Sequence, residues 1–434
     1  MGPMRRTILV VCVALVWTSS VFASGFQINE HGAKAMGMGG AFVAQASDPS
    51  AIFFNPAGLG FQKGFSAMLG ATLIMPTTTH TTLGGVATDM ESQVFYPPNA
   101  YVTYGLDSRW SFGIGFMAPY GLGTEWPHAW PGQRYAVKAD LQSFYINPAV
   151  AFRPIDNLSI GVGFSYIFSN VNLQRRVGIV APTDPAAYYP NDGDVDLDAD
   201  GTSYDFSVGV LYKPVKEFSI GASYRHSAEV DYEGDATFTN MPTITVPGVG
   251  PVNLQPYFPG GTGKTTITMP NQGWLGVAVS PWDPFTMEAD FQWTRWSTYE
   301  VLAIDIPVGP VFPPAPIPGG RPLQGPSTSV KNWYDVFIAR VGGEYRWEKV
   351  ALRLGVIYDF TPQPTKSVEP LLPDASRWEG TIGLGYKFSK SFAVDVAYQF
   401  IMFQDRVLLA GQNTFPGTYE SSANLFGLDL TYTP

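Results

Sequence analysis

Alternation with a period of two recurs along this chain and constrains its fold more than any other feature. Over residues 158–168, Leu158, Ile160, Val162, Phe164, Tyr166 and Phe168 are separated by Ser159, Gly161, Gly163 and Ser165. Over Val350–Asp359, Val350, Leu352, Leu354, Val356 and Tyr358 form an apolar set, while Ala351, Arg353, Gly355 and Asp359 interrupt the other side. Over residues 392–402, Phe392, Val394, Val396, Tyr398, Phe400 and Met402 face one way and Asp395 and Gln399 the other. A strand sends successive side chains to opposite faces, so each stretch predicts a strand with one apolar face and one small or polar face.

What the apolar face meets follows from the rest of the chain. Residues 1–23 contain Arg5 and Arg6, an apolar run, and Val21-Phe22-Ala23 ending in a small residue, the parts of a cleavable secretory signal. The run is too short to cross a bilayer as a helix. Cys12 lies inside it behind bulky Val11, which rejects a lipoprotein reading. It is the one cysteine, so the exported chain is expected to have neither disulfides nor thiol chemistry. Without Arg5 and Arg6 the 26 basic residues become 24 against 36 acidic ones, a net charge of −12. That balance argues against nucleic acid as a partner. Charged residues are only 14% of the chain and aromatic residues equally 14%, yet no run of about 18 apolar residues follows the signal. The remaining way for such an exported chain to sit in a membrane is a closed β-barrel, apolar face to lipid and polar face to lumen.

About fourteen strands pass the alternation test, and the connections between them alternate in length. Short turns fall at residues 106–108, 154–157, 214–217, 281–284, 348–349 and 389–391. Long connections lie at residues 77–92, 120–138, 174–200, 234–264, 303–329, 362–376 and 405–417. Gram-negative outer-membrane barrels have this asymmetry of periplasmic turns and extracellular loops. The fold class is therefore all-β, with residues 63–434 expected as a transmembrane antiparallel β-barrel. Residues 24–62, rich in small residues such as Gly37, Gly39, Gly40, Ala41, Ala44 and Ala46, sustain neither period and read as a compact plug in the lumen.

Motifs for chemistry are weak. Pro259-Gly260-Gly261-Thr262-Gly263-Lys264-Thr265 imitates a phosphate-binding loop, but Phe258 stands where its first glycine belongs. Asp192, Asp194, Asp196, Asp198 and Asp200 imitate the start of a calcium loop, with Ser207 where a bidentate Glu is needed. They read as a solvated extracellular loop, or as a weak divalent-ion site bridging lipopolysaccharide. His31, His80, His128 and His226 make no ligand pair, and nothing singles out a nucleophile with its base. The expectation is no enzyme, no metal and no cofactor. Trp126, Trp130, Trp282, Trp293, Trp296 and Trp333 sit near predicted strand ends. They read mainly as an interfacial girdle, with those on long loops as an alternative apolar collecting surface.

Ser24-Gly25-Phe26-Gln27-Ile28-Asn29-Glu30, with Asn55-Pro56-Ala57 downstream, closely resembles the hatch of FadL-type outer-membrane long-chain fatty acid transporters. Tyr120-Gly121-Leu122-Gly123-Thr124-Glu125 looks like that family's segment closing the third strand. Leu372-Pro373-Asp374, residues 380–388 and Asn424-Leu425-Phe426-Gly427-Leu428 look like its last strands. One departure is the end of the chain, where Tyr432 is followed by Thr433-Pro434 rather than closing on an aromatic residue.

The resemblance implies passive uptake of hydrophobic molecules by a monomer in the outer membrane, without ATP or ion coupling. Long-chain fatty acids are the leading ligand, and aromatic hydrocarbons or alkanes the alternative. A structural or adhesive surface protein is the competing reading from another class. The implied hatch and gating residues are Phe26, Asn55, Pro56 and Ala57, and the implied third-strand kink lies at Tyr120 and Gly121, beside Pro119. Parity along residues 158–168, continued upward, turns Ile167, Val171, Leu173 and Arg175 into the lumen. Arg175 is the expected head-group ligand above that apolar patch, a basic residue the family also carries there. The alternative is that Arg175-Arg176 forms a basic rim on lipopolysaccharide phosphates.

Overall fold

The computed structural model describes residues 25–178, 180–181, 184–188, 192–246, 249–311 and 323–434; the expected signal lies outside them. Fourteen antiparallel strands close into a barrel. In order they are β1 (Gly64–Thr82), β2 (Pro98–Gly105), β3 (Trp110–Glu125), β4 (Lys138–Ile155), β5 (Leu158–Val177) and β6 (Gly193–Val215). Then come β7 (Phe218–Arg225, continued by Ala228–Thr239), β8 (Gly261–Met269, continued by Gln272–Trp282) and β9 (Phe285–Thr294, continued by Val301–Asp305). The last five are β10 (Ser327–Val330, continued by Val336–Trp347), β11 (Val350–Asp359), β12 (Arg377–Lys387), β13 (Phe392–Phe403) and β14 (Gly417–Tyr432). Closure is made by β14 on β1, from Ala67 opposite Tyr432 to Thr82 opposite Gly417. The Thr433-Pro434 departure therefore leaves the seam intact.

The alternation works as expected. On β5, Ser159, Ser165 and Ile167 are buried inside, while Ile160, Val162, Phe164 and Tyr166 are exposed on the outer wall. On β11, Arg353 and Ile357 point in and Leu352, Leu354 and Val356 out. The short-turn end carries exposed aromatics, among them Trp110, Trp282, Trp347 and Tyr432.

Two expectations need correction. Strands run on into the predicted long connections, because alternation continues there with polar residues outside. Residues 194–200, expected as a loop, lie on β6, paired with β5 and β7. Asp196, Asp198 and Asp200 are hydrogen-bonded by Asn172, Gln174 and Asn170 across the ladder, and among the described residues no acidic or histidine group is arranged to hold a metal. The glycine-rich stretch at Gly261, expected within a long connection, likewise opens β8. Among the tryptophans, Trp282 is a girdle residue, whereas Trp126, Trp130, Trp296 and Trp333 are buried.

Residues 25–62 lie inside the barrel. Their helices are short, α1 (Ala33–Gly37), α2 (Ala51–Phe54) and a 3-10 turn at Pro56–Phe61, so the wall must satisfy much of their backbone. Asp290 Oδ2 accepts from Phe42 N at 2.8 Å and Val43 N at 3.0 Å. Glu288 accepts from Ala44 N on Oε1 at 2.5 Å and from Gln45 N on Oε2 at 3.0 Å. Asp429 takes Ala33 N. Wall glycines admit the plug's backbone: a Cβ on Gly342 would stand 2.1 Å from Met38 O, and one on Gly355 2.2 Å from Gly39 N.

Candidate functional site

Asn55, Pro56 and Ala57 form an anchor. Asn55 Oδ1 accepts from Ala57 N at 3.1 Å and caps the 3-10 turn that Pro56 opens. Its Nδ2 donates to Val43 O within the plug and to Val210 O in the wall, at 2.9 and 3.1 Å. A Cβ on Gly209 would meet Asn55 Oδ1 at 2.1 Å, so the turn sits directly on the strand.

Phe26, Tyr120 and Gly121 come together elsewhere, at a break in the wall. The β2–β3 ladder ends at Ala100 opposite Phe116. The β3–β4 register shifts between Met117 and Tyr120, where Pro119 can donate nothing to a ladder. The plug supplies the missing partner from inside: Ile28 N donates to Pro119 O at 2.8 Å and Gly121 N to Phe26 O at 3.0 Å. A Cβ on Gly121 would stand 2.8 Å from Ile28 Cδ1. The Phe26 ring is packed edge-on against Trp296 at 4.7 Å, Tyr299 at 5.8 Å and Tyr120 at 6.0 Å between centroids.

The same ring forms one wall of an apolar slot above the plug. Leu122 of β3, Leu141 of β4, Val171 and Leu173 of β5 and Ile267 of β8 make its sides, and Leu371 and Leu372 close it from the loop between β11 and β12. Its free space is about 30 Å³, room for about two waters, so a larger guest needs side chains to move. Ile167 belongs to the same buried apolar cluster without lining the slot.

Arg175 does not line the slot. It is exposed on the far end of β5, where the inward-outward pattern fades after Leu173, and its Nη1 reaches Arg134 O at 3.5 Å. The cation in the slot is Lys331, ion-paired with Glu369 and 2% exposed. Sequence parity missed it for a physical reason. Inward positions are even from Val336 onward on β10 (Val336, Ile338), but odd from Ser327 to Trp333, which buries Lys331 and Trp333. The exposed pair Tyr334-Asp335 breaks the period between the two parts.

The chain is thus a barrel of fourteen strands whose inner wall binds residues 25–62, with a pairing break in β3 and an apolar slot. The profile of the family described as "Outer membrane protein transport protein (OMPP1/FadL/TodX)" matches residues 14–433. The chain belongs to this family. OMPP1/FadL/TodX proteins are outer-membrane transport proteins rather than enzymes, and the outer membrane is where this one resides. A long-chain fatty acid transport protein of Escherichia coli O6:H1 (strain CFT073) is 24% identical over 454 residues, covering 98% of each chain. Outer membrane protein P1 of Haemophilus influenzae (strain Rd) is 21% identical, also over 98% of each. In fold the chain is similar to a FadL homologue of Pseudomonas aeruginosa, with a TM-score of 0.79 at 19% identity over 94% of this chain and 99% of that one. It is also similar to the toluene transporter TbuX of Ralstonia pickettii, with a TM-score of 0.67 at 19% identity over 93% and 98%.

Proposed function

We propose that this OMPP1/FadL/TodX protein takes up hydrophobic small molecules passively through its plugged barrel and releases them sideways. A ligand collects among the extracellular loops, occupies the slot, and leaves through the break in β3 once Phe26–Ile28 withdraw. The observation that carries this reading is the double position of Phe26, whose ring walls the slot while its backbone fills the break. Removing that one residue from its place would enlarge the slot and open the wall together. An apolar guest never meets bulk water on this path, and backbone freed at the break would line a cavity.

Long-chain fatty acids are the ligands we favour, because the slot pairs an apolar body with one buried cation, and a carboxylate suits such a group. Lys331 replaces Arg175 in that role. Aromatic hydrocarbons are the second reading, favoured by the edge-on rings of Trp296, Tyr299 and Tyr120 around Phe26. Uptake of labelled palmitate and toluene by a deletion strain, with and without the restored gene, tests both. A strain that takes up each at the restored rate would leave a structural or adhesive role instead.

A further inference from the structure

The Lys331–Glu369 pair is the part of the slot that carrying a hydrocarbon does not need. Its two partners differ in freedom: the Lys331 side chain is 2% exposed and that of Glu369 20%. Lys331 is fixed by its own backbone, whose N–H donates to Glu300 O at 2.7 Å. Glu369 rides on the loop between β11 and β12, which also supplies Gln363, Leu371 and Leu372 to the slot. Ser329 Oγ donates to its Oε2 at 3.3 Å. That loop is tied to the end of β3, where Thr124 Oγ1 donates to Leu371 O at 2.9 Å and Trp126 Nε1 to Pro370 O at 3.0 Å.

A buried ammonium left without a counter-charge is costly, whereas a carboxylate at the edge of the slot can turn to water. Exchange of anions at Lys331 is therefore possible only by moving Glu369. We propose that Glu369 is an intramolecular stand-in for a ligand carboxylate: it holds Lys331 in the closed slot, yields to the head group of an acyl ligand, and thereby sets the preference between carboxylate and neutral ligands. The proposal rests on the uptake reading above.

In the wild type one carboxylate replaces another at Lys331, so the net gain from a charged head group is small. Without Glu369 the same lysine lacks its anion, and a ligand carboxylate supplies it. The test compares palmitate with hexadecanol, which shares its tail and lacks its charge, binding to the full barrel in lipid nanodiscs. Glu369→Gln is expected to raise the palmitate-to-hexadecanol affinity ratio about tenfold, equivalent to about 1.4 kcal/mol. Adding Lys331→Met should abolish that gain. An unchanged ratio in Glu369→Gln, or a gain that survives Lys331→Met, overturns the proposal. If Glu369→Gln does not fold, Glu369→Asp shortens the same pair and should move the ratio in the same direction. A wild type that binds neither compound defeats the uptake reading itself, while hexadecanol binding with an unmoved ratio defeats only the role of Glu369.

Discussion

Asp290 and Glu288 hold the plug by the same chemistry but through different atoms, which makes two identical substitutions unequal. Asp290 accepts both Phe42 N and Val43 N on Oδ2, so Asp290→Asn can keep both bonds by presenting its one carbonyl oxygen. The loss is charge assistance at both bonds, about 1 kcal/mol each, while the new NH2 takes the place of buried Oδ1 and can donate to the neighbouring Glu288 carboxyl. Glu288 uses its two oxygens separately, Oε1 for Ala44 N and Oε2 for Gln45 N. Glu288→Gln must turn an NH2 group against one of those N–H donors. It loses one charged hydrogen bond, about 1.5–3 kcal/mol, drops the charge assistance of the other, about 1 kcal/mol, and leaves a buried donor unpaired at about 1–3 kcal/mol more. At about 1.4 kcal/mol per factor of ten, the undocked plug should become roughly several hundredfold or more commoner in Glu288→Gln, and only about thirtyfold commoner in Asp290→Asn. Single-channel recording in planar bilayers reads this as the frequency of open events, with heat-modifiable migration on gels checking that the barrel is folded. Equal frequencies in the two variants, or more openings in Asp290→Asn, would refute the assignment of bonds to oxygens and with it this account of plug retention.

Deleting residues 25–59 is expected to give a folded barrel with conductance well above wild type; conductance no higher would show that the plug does not seal the lumen. Ile28→Cys with Gly121→Cys should form a disulfide that pins the plug across the break and stops palmitate uptake until a reductant is added, and undiminished uptake in the oxidised protein rules out exit there. Lys331→Met should weaken palmitate binding about tenfold or more, and Arg175→Ala by a smaller factor, so that the reverse order in a binding titration returns the head group to Arg175. Hydrogen exchange should release the amides of Ile28 and Gly121 before those of residues 42–45, and the opposite order would mean that the plug leaves as one piece.

Most of the architecture was legible because it rests on rules that act residue by residue. Alternation on β5, β11 and β13 set which side chains face lipid, and the two lengths of connection set the strand count. Phe26, Tyr120 and Gly121 were legible as a group only through their family resemblance, since nothing local in Ser24-Gly25-Phe26 announces a partner about a hundred residues away. The slot's cation was not legible. Parity is a local rule that a paired exposure resets, as Tyr334-Asp335 does on β10, and it lapses where β5 rises clear of the lumen before Arg175. The carboxylate run was misread for a related reason: composition marked residues 192–200 as loop, whereas ladder bonds from β5 and β7 outweigh the poor strand preference of Asp.

The plug's low regular structure and the wall's glycines have one explanation. A helix satisfies its backbone internally and presents side chains to its neighbours, so it keeps a wall at a distance. Residues 33–57 instead present bare backbone, and the wall answers with carboxylates at Glu288, Asp290 and Asp429 and with missing side chains at Gly209, Gly342 and Gly355. This makes the plug's fold a property of the barrel, because alone it would leave most of those N–H groups to water. It also divides the plug in two. Residues 42–45 are held by four bonds to carboxylates, each worth about 1.5–3 kcal/mol, whereas Phe26–Ile28 are held by two backbone bonds at the break and one bond from Gln292 Nε2 to Gln27 Oε1, each worth about 0.5–1.5 kcal/mol. Added to these is the packing of one ring, which a hydrophobic ligand in the slot can itself replace. The weak part is the part that lies between slot and lipid, so on the proposed route Phe26–Ile28 can leave the break while residues 42–45 stay bound to the wall.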